Sequence, residues 1–189
     1  KKDRFKLLDS GTFWLSETPD VVSKGWDAAL PRVCTYVHLR DLRAKKNLWV
    51  FNTHFDHIGK TARKESAELI LKKIREKNTG NEPVIVMGDF NAEPSEAPIA
   101  VLLREFKDTR ALSMEPSFGP EGTFNAFKFN EPVTRLIDYI FLGGVWAGDQ
   151  PPAEAARQPL KVLKHAVLSD SRNCHYPSDH LPVLARLTW

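Results

Sequence analysis

The segment Val84-Ile85-Val86-Met87-Gly88-Asp89-Phe90-Asn91 is a continuous apolar run that breaks at a glycine into Asp-Phe-Asn. Four apolar residues in a row predict a short strand buried on both faces. The glycine lets the backbone turn sharply, so Asp89 and Asn91 can point into one cleft. A carboxylate is a natural hard-cation ligand and can orient water. Asn91 can donate to a phosphate oxygen or accept from water without adding negative charge. The same residues also suit a turn that leads into the helix starting at Pro94-Ser95, so this motif alone leaves both readings open.

Working outward, Val33 to Leu39 and Leu48 to Thr53 read as strands joined by the charged turn Arg43 to Asn47, a plausible hairpin. Leu136 to Leu142, Leu160 to Leu168 and Val183 to Leu187 complete the strand set, and a further strand-like run precedes Glu17. One helix is clear: Thr61 caps it, Ala67, Ile70, Leu71 and Ile74 recur at the helical period, and Gly80 lies just past its end. Its other face, with Arg63, Lys64, Lys72, Lys73 and Arg75, reads as a solvated surface. A shorter helix is expected from Pro94-Ser95 through Ile99 to Leu103, and a surface excursion from Ala147 to Pro159. Strands outnumber helices and polar motifs end the strands, which indicates a layered α/β or α+β domain with its site on strand-end loops.

The 189 residues suit one domain, 1–189, with a real core. Hydrophobic content of 42% and charged content of 27% are ordinary for a globular protein. No apolar stretch is long enough to span a bilayer, and the charged start Lys1-Lys2-Asp3-Arg4 carries no export signal. The compartment is left open between cytoplasmic and exported with a signal removed. A net charge of +3 permits an anionic substrate without implying a nucleic-acid-binding surface. Cys34 and Cys174 have no metal-binding spacing; they exclude a disulfide scaffold and are expected as a pair of buried thiols.

The second chemistry-bearing motif is Tyr176-Pro177-Ser178-Asp179-His180-Leu181-Pro182, directly before an apolar run. Neighbouring Asp179 and His180 can bind a metal and act as acid or base in one site. A histidine used this way needs an orienting carboxylate. Asp138, a lone acid inside the apolar strand Leu136 to Phe141, is the best candidate, with a structural ion pair to Arg135 as its alternative. His54, closing the strand that ends Asn52-Thr53, could touch a phosphate oxygen; with His57 it lacks a third ligand at zinc spacing. Arg32 and Asn125 are weaker candidates for substrate phosphate, and Trp26, Phe124 and Phe127 could line a pocket for a base or sugar. Walker, Rossmann and nucleophile-elbow patterns are absent, so a covalent serine or cysteine mechanism has no support.

Taken in order, Trp26 to Arg32, Thr53-His54, Gly88-Asp89-Phe90-Asn91, Ile137-Asp138-Tyr139 and Ser178-Asp179-His180 resemble the endonuclease/exonuclease/phosphatase family, the group with the DNase-I-like fold. The resemblance implies a four-layer α/β/β/α sandwich with the site at one rim. It implies a metal-dependent phosphoesterase that cleaves a phosphodiester or phosphomonoester by direct attack of water. Asp89 would orient or deprotonate that water and Asn91 would hold the phosphate. His180, oriented by Asp138, would stabilise the phosphate or transfer a proton, and His54 would contact it. Asp179 and Asp89 would bind Mg2+ or Mn2+. The substrate would be a nucleic acid, a phospholipid head group or a sugar phosphate, with specificity set by loops such as Ser113 to Phe129 and Val145 to Gln158. The family's early Asn-bearing strand and its Gln-Glu strand have no counterpart here, since Glu17 falls too late. The chain is therefore expected to lack the first strands of the fold, with an upstream segment or a pairing chain supplying them. The missing Glu motivates the alternative of a non-catalytic phosphate- or partner-binding module.

Overall fold

The structure is a computed structural model that describes residues 2–144 and 160–189; the loops expected at Ala147 to Pro159 and Val145 to Gln158 lie outside the described residues. Strands β1 (Phe5–Trp14), β2 (Val33–Asp41), β3 (Lys46–His54), β4 (Pro83–Asp89), β5 (Phe106–Asp108) and β6 (Asp138–Gly144) form one mixed sheet in the order β1-β2-β3-β4-β6-β5. Strands β7 (Lys161–Val167) and β8 (Val183–Thr188) form a second, antiparallel sheet. Helices α1 (Lys60–Lys77), α2 (Ala97–Leu102) and the single turn α3 (Thr109–Leu112) complete the chain.

The hairpin expected between the second and third strands is present, in register from Cys34 opposite Thr53 to Asp41 opposite Lys46. Asp41 shapes its turn: the carboxylate accepts from the Arg43 and Ala44 amides, the Arg4 guanidinium and the Trp189 indole N–H. β3 and β4 run parallel, which requires a crossover, and α1 supplies it. Side chains alternate faces along a strand. Val50, Ile85 and Leu142 thus share one face and pack toward Val162 and Leu187 of the second sheet and Leu160 just before it. Phe51, Val86 and Phe141 share the other and pack toward Ile70, Leu71 and Ile74 of α1 and Ile99 and Leu102 of α2. Phe90 sits edge-on to Phe55, Tyr139 and Phe141, and all four rings are buried. Helix on sheet on sheet is the α/β/β part of the expected sandwich.

Several local expectations are corrected. Thr61 lies inside α1, whose N-cap is Gly59; the Asp27 carboxylate of another loop accepts from the Thr61 and Ala62 amides at 3.2 and 2.6 Å and does the capping. A Cβ on Gly59 would stand 2.7 Å from the Asp27 carboxylate, so this approach requires glycine. The helix ends at Lys77 with Asn78 as its C-cap, two residues before Gly80, and the Asn78 side-chain amide donates to the Glu82 carbonyl and accepts from the Glu82 amide. Arg63 is not on the solvated face: it is buried, donating to the Asp56 carbonyl and pairing with Glu96. The strand after Leu136 begins only at Asp138. The strand-like run before Glu17 is β1, an edge strand with mostly exposed side chains. The thiols differ too: Cys34 is buried, and burial pushes its ionisation up, while Cys174 is exposed.

Asp56 and His165 are two of the buried groups that shape the response to acid, alongside Asp41, whose carboxyl the Arg4 guanidinium holds well below the usual carboxylate range. Asp56 is 2% exposed. Burial pushes its carboxyl up, but amides of Gly59, Ala29, Ile58 and Leu30 donate to it and hold it well below the usual carboxylate range. His165 on β7 is buried, its Nδ1 is 3.0 Å from the Thr109 hydroxyl, and its Nε2 meets no described polar atom. Burial pushes this imidazole below its ordinary value, with Asp108 opposing and Arg110 reinforcing the shift. In both cases the unfolded chain binds the proton more readily, so stability falls as pH falls. The His165 contribution is present above about pH 6.5 and the Asp56 contribution above about pH 4. Thermal unfolding followed from pH 8 to pH 3 should show both losses. His165→Gln should flatten the decline just below pH 6.5, and an unchanged slope in that variant would show that His165 is not its source.

Candidate active site

The strand registers place the first three site residues. His54 pairs with Asp89 across β3–β4, and Asp89 pairs with Asp138 across β4–β6. The three side chains therefore stand in one row at one rim, on the face that looks toward the second sheet. Gly88 makes the row possible. Its φ is +143°, and a Cβ there would lie 1.9 Å from the Thr53 carbonyl oxygen. Asn91 has left-handed backbone (φ 46°) and its amide donates to Asp89 Oδ1 at 2.8 Å, which orients that carboxylate.

His180 arrives from the loop before β8. Leu181 N donates to the Thr123 carbonyl at 2.7 Å, and Asn125 N donates to the Asp179 carbonyl at 2.8 Å. The Asn125 side chain donates to the Ser178 carbonyl at 3.0 Å. These bonds set His180 Nδ1 2.9 Å from Asp138 Oδ2, which accepts its proton, and leave Nε2 facing Asp89 Oδ2 at 3.9 Å. His54 Nε2 lies 3.2 Å from the same Asp89 oxygen. The edge of Phe124 packs on the His180 ring, with centroids 5.1 Å apart. Asn52, Met87, Asp89, Asp138, Ser178 and His180 line a cleft of about 390 Å³.

The two carboxylates are pushed in opposite directions. Burial raises Asp89, but the His54 hydrogen bond, the Asn91 amide and the charges of His54 and His180 outweigh it and hold the group below its ordinary value. Burial raises Asp138; Thr123 and His180 pull it down without cancelling that, and the Asp89 charge adds to the rise. Such a split gives neighbouring acids different roles. Asp89 stays ionised beside two imidazoles, where it can orient water and accept a proton, while Asp138 fixes the tautomer of His180.

Asp89, Asp138 and His180 are the described residues whose ligand atoms lie within 4.8 Å of one another, and two carboxylates with an imidazole fit a divalent cation. Asp179 is outside this cluster; its carbonyl holds the Asn125 and Ala126 amides, and its carboxylate is 3.4 Å from the Ser178 hydroxyl. Asn91 Nδ2 donates to the Phe55 carbonyl at 3.0 Å. Arg32 stands at the same rim but turns toward His57 Nδ1 (3.3 Å) and Asp56 (3.9 Å). Asn125 is buried, with its amide spent on Ser178 and Phe127. Arg135 pairs with Glu93, not with Asp138, and stacks over Phe124. Phe127 is exposed.

Sequence reading missed Thr123. It is fully buried; its hydroxyl donates to Asp138 Oδ2 at 2.6 Å and accepts from the Ile137 and Asp138 amides. The available signal was Asp138 itself, because a carboxylate inside an apolar strand needs more than one donor.

A sequence profile of the endonuclease/exonuclease/phosphatase family matches residues 4–180. The solved structure of an endonuclease/exonuclease/phosphatase family protein from Bacteroides thetaiotaomicron is 35% identical, with 99% of this chain and 65% of that one covered and a TM-score of 0.87. A mannosyl-6-phosphatase from Bacteroides thetaiotaomicron is 35% identical over 100% of this chain and 69% of its own, with a TM-score of 0.85. An uncharacterized protein of Acanthamoeba polyphaga mimivirus is 34% identical over 83 residues, which are 42% of this chain and 31% of that protein. The chain thus spans about two thirds of the length of these solved structures and less than a third of the viral protein.

Replacing Thr123 by Val leaves the Ile137 and Asp138 amides without their acceptor and Asp138 with one donor fewer. The expected loss is about 2–4 kcal/mol in denaturant unfolding. Thr123→Ser should recover most of it; equal losses in both variants would assign the effect to the methyl group instead.

Proposed function

Because the chain belongs to the endonuclease/exonuclease/phosphatase family, we propose that it hydrolyses a phosphate ester by direct attack of water in the cleft between Asp89 and His180. The observation that supports this most is the chain of contacts Asp138–His180–Asp89–His54, at 2.9, 3.9 and 3.2 Å. Asp89 orients the water and takes its proton. His180 Nε2 and His54 Nε2, both directed at Asp89, donate to phosphate oxygens as charge develops there, and Asp138 keeps the His180 ring in place. Asn91 contributes by fixing the Asp89 carboxylate, and Arg32 adds positive charge at the rim.

Asp89 and Asp138 would hold a Mg2+ or Mn2+ ion through carboxylate oxygens, which leaves His180 Nε2 free to donate to the phosphate; oxygen ligands favour these hard cations. When bound, the ion supplies charge neutralisation on the phosphate oxygens and the leaving group. We read residues 1–189 as one domain of this kind. A sugar phosphate is the substrate class we favour, on the 35% identity to a mannosyl-6-phosphatase.

Hydrolysis of a hexose phosphate and of a small chromogenic phosphodiester, with Mg2+ or Mn2+, tests the proposal. Turnover should be abolished by chelator. Asp89→Ala and His180→Ala should each lower kcat/KM by about a thousandfold. Retained activity in either variant would sink the assignment. Cation binding by calorimetry with no turnover of any ester would favour a binding module instead.

A further inference from the structure

Before it delivers Ser178, Asp179 and His180 to the cleft, the chain makes a tight hairpin. Arg172 and His175 exchange both backbone hydrogen bonds at 3.0 Å across Asn173 and Cys174, which have φ of 51° and 58°. Two consecutive left-handed residues are the geometry of a two-residue hairpin turn. In such a pair the two side chains project from the same face.

This hairpin borders a hollow of about 620 Å³, lined by Asp170, Ser171, Arg172, His175, Tyr176 and Pro177 among others. The size is that of a small-molecule site. Pro177 lines the hollow and its neighbour Ser178 lines the catalytic cleft, so the two spaces adjoin along the chain. The lining is chemically mixed. Arg172 brings donors, Asp170 brings acceptors, and the Ser171 and Tyr176 hydroxyls serve as either. Arg172 and Asp170 offset one another in charge, which favours a neutral polar group over a second anion. Phe129 packs against Tyr176 with centroids 5.4 Å apart, which steadies an aromatic face for apolar C–H groups. His175 Nδ1 is held by the Asn173 carbonyl at 2.6 Å, leaving Nε2 for a ligand.

We propose that this hollow is the subsite for the polyhydroxylated leaving group, a sugar, of a substrate whose phosphate reacts in the adjoining cleft. It rests on the phosphoesterase reading above and deepens it by assigning substrate selection to Arg172, Tyr176 and Asp170.

The test compares kcat/KM for a hexose phosphate with that for methyl phosphate, which shares the reacting group and lacks the sugar. The wild-type protein should prefer the hexose phosphate. Arg172→Ala and Tyr176→Ala should each lower that preference roughly tenfold, mainly through KM. Cys174→Gly, which suits the left-handed turn and removes no lining group, should retain it. Hydrolysis of both esters with the preference unchanged in Arg172→Ala and Tyr176→Ala overturns the subsite alone. Turnover of the chromogenic phosphodiester but of neither monoester by the wild-type protein overturns the subsite alone, and turnover of none of the three overturns it together with the phosphoesterase reading.

Discussion

The close approach of β4 to β3 at Gly88 constrains everything built at the rim. The Thr53 carbonyl occupies the space a side chain at position 88 would need. With that contact in place, the parallel register of β3 and β4 and the antiparallel register of β4 and β6 carry His54, Asp89 and Asp138 to the same height. A slip of one residue in either pairing would turn a site residue onto the helix-facing side, among Phe51, Val86 and Phe141. The apolar residues beneath the row, Val50, Ile85 and Leu142, resist such a slip because they have a second sheet to cover them.

The polar groups above that core are organised by sharing acceptors. Asp138 Oδ2 takes both Thr123 and His180, Asp56 gathers four amides from two loops, and Asp27 closes the start of α1 from outside it. Each of these acids joins segments far apart in sequence. Carboxylates thus fix the solvent-facing side of the rim, while the buried rings of Phe55, Phe90 and Tyr139, each following a site residue in the chain, pack its other side.

That division explains what was legible in the sequence. Apolar runs and their period disclosed the β2–β3 hairpin, β4, β7, β8 and the core face of α1, since burial patterns are written locally. Asp89, Asp138, His180 and His54 stood out because polar residues at buried strand ends are conspicuous, and the structure draws them together. The long-range contacts left no such mark. Arg63 falls among basic residues on the outer side of α1, and only its distant partners, Asp56 and Glu96, explain its burial. Thr61 resembled a cap because the capping acid, Asp27, lies 34 positions away in the chain. Asp179 sits beside His180 in sequence, yet the turn that presents the imidazole directs the neighbouring carbonyl to Asn125 and Ala126. β1 lacks a clear alternation because an edge strand with one neighbour needs to bury little.

The contrast between the two cysteines has a practical side. Cys34 is sealed in the core, whereas Cys174 projects from the tip of the hairpin beside the Arg172–Tyr176 hollow. The unaltered protein thus carries a natural attachment point where a thiol-reactive fluorophore could be placed, next to the space where a ligand would arrive.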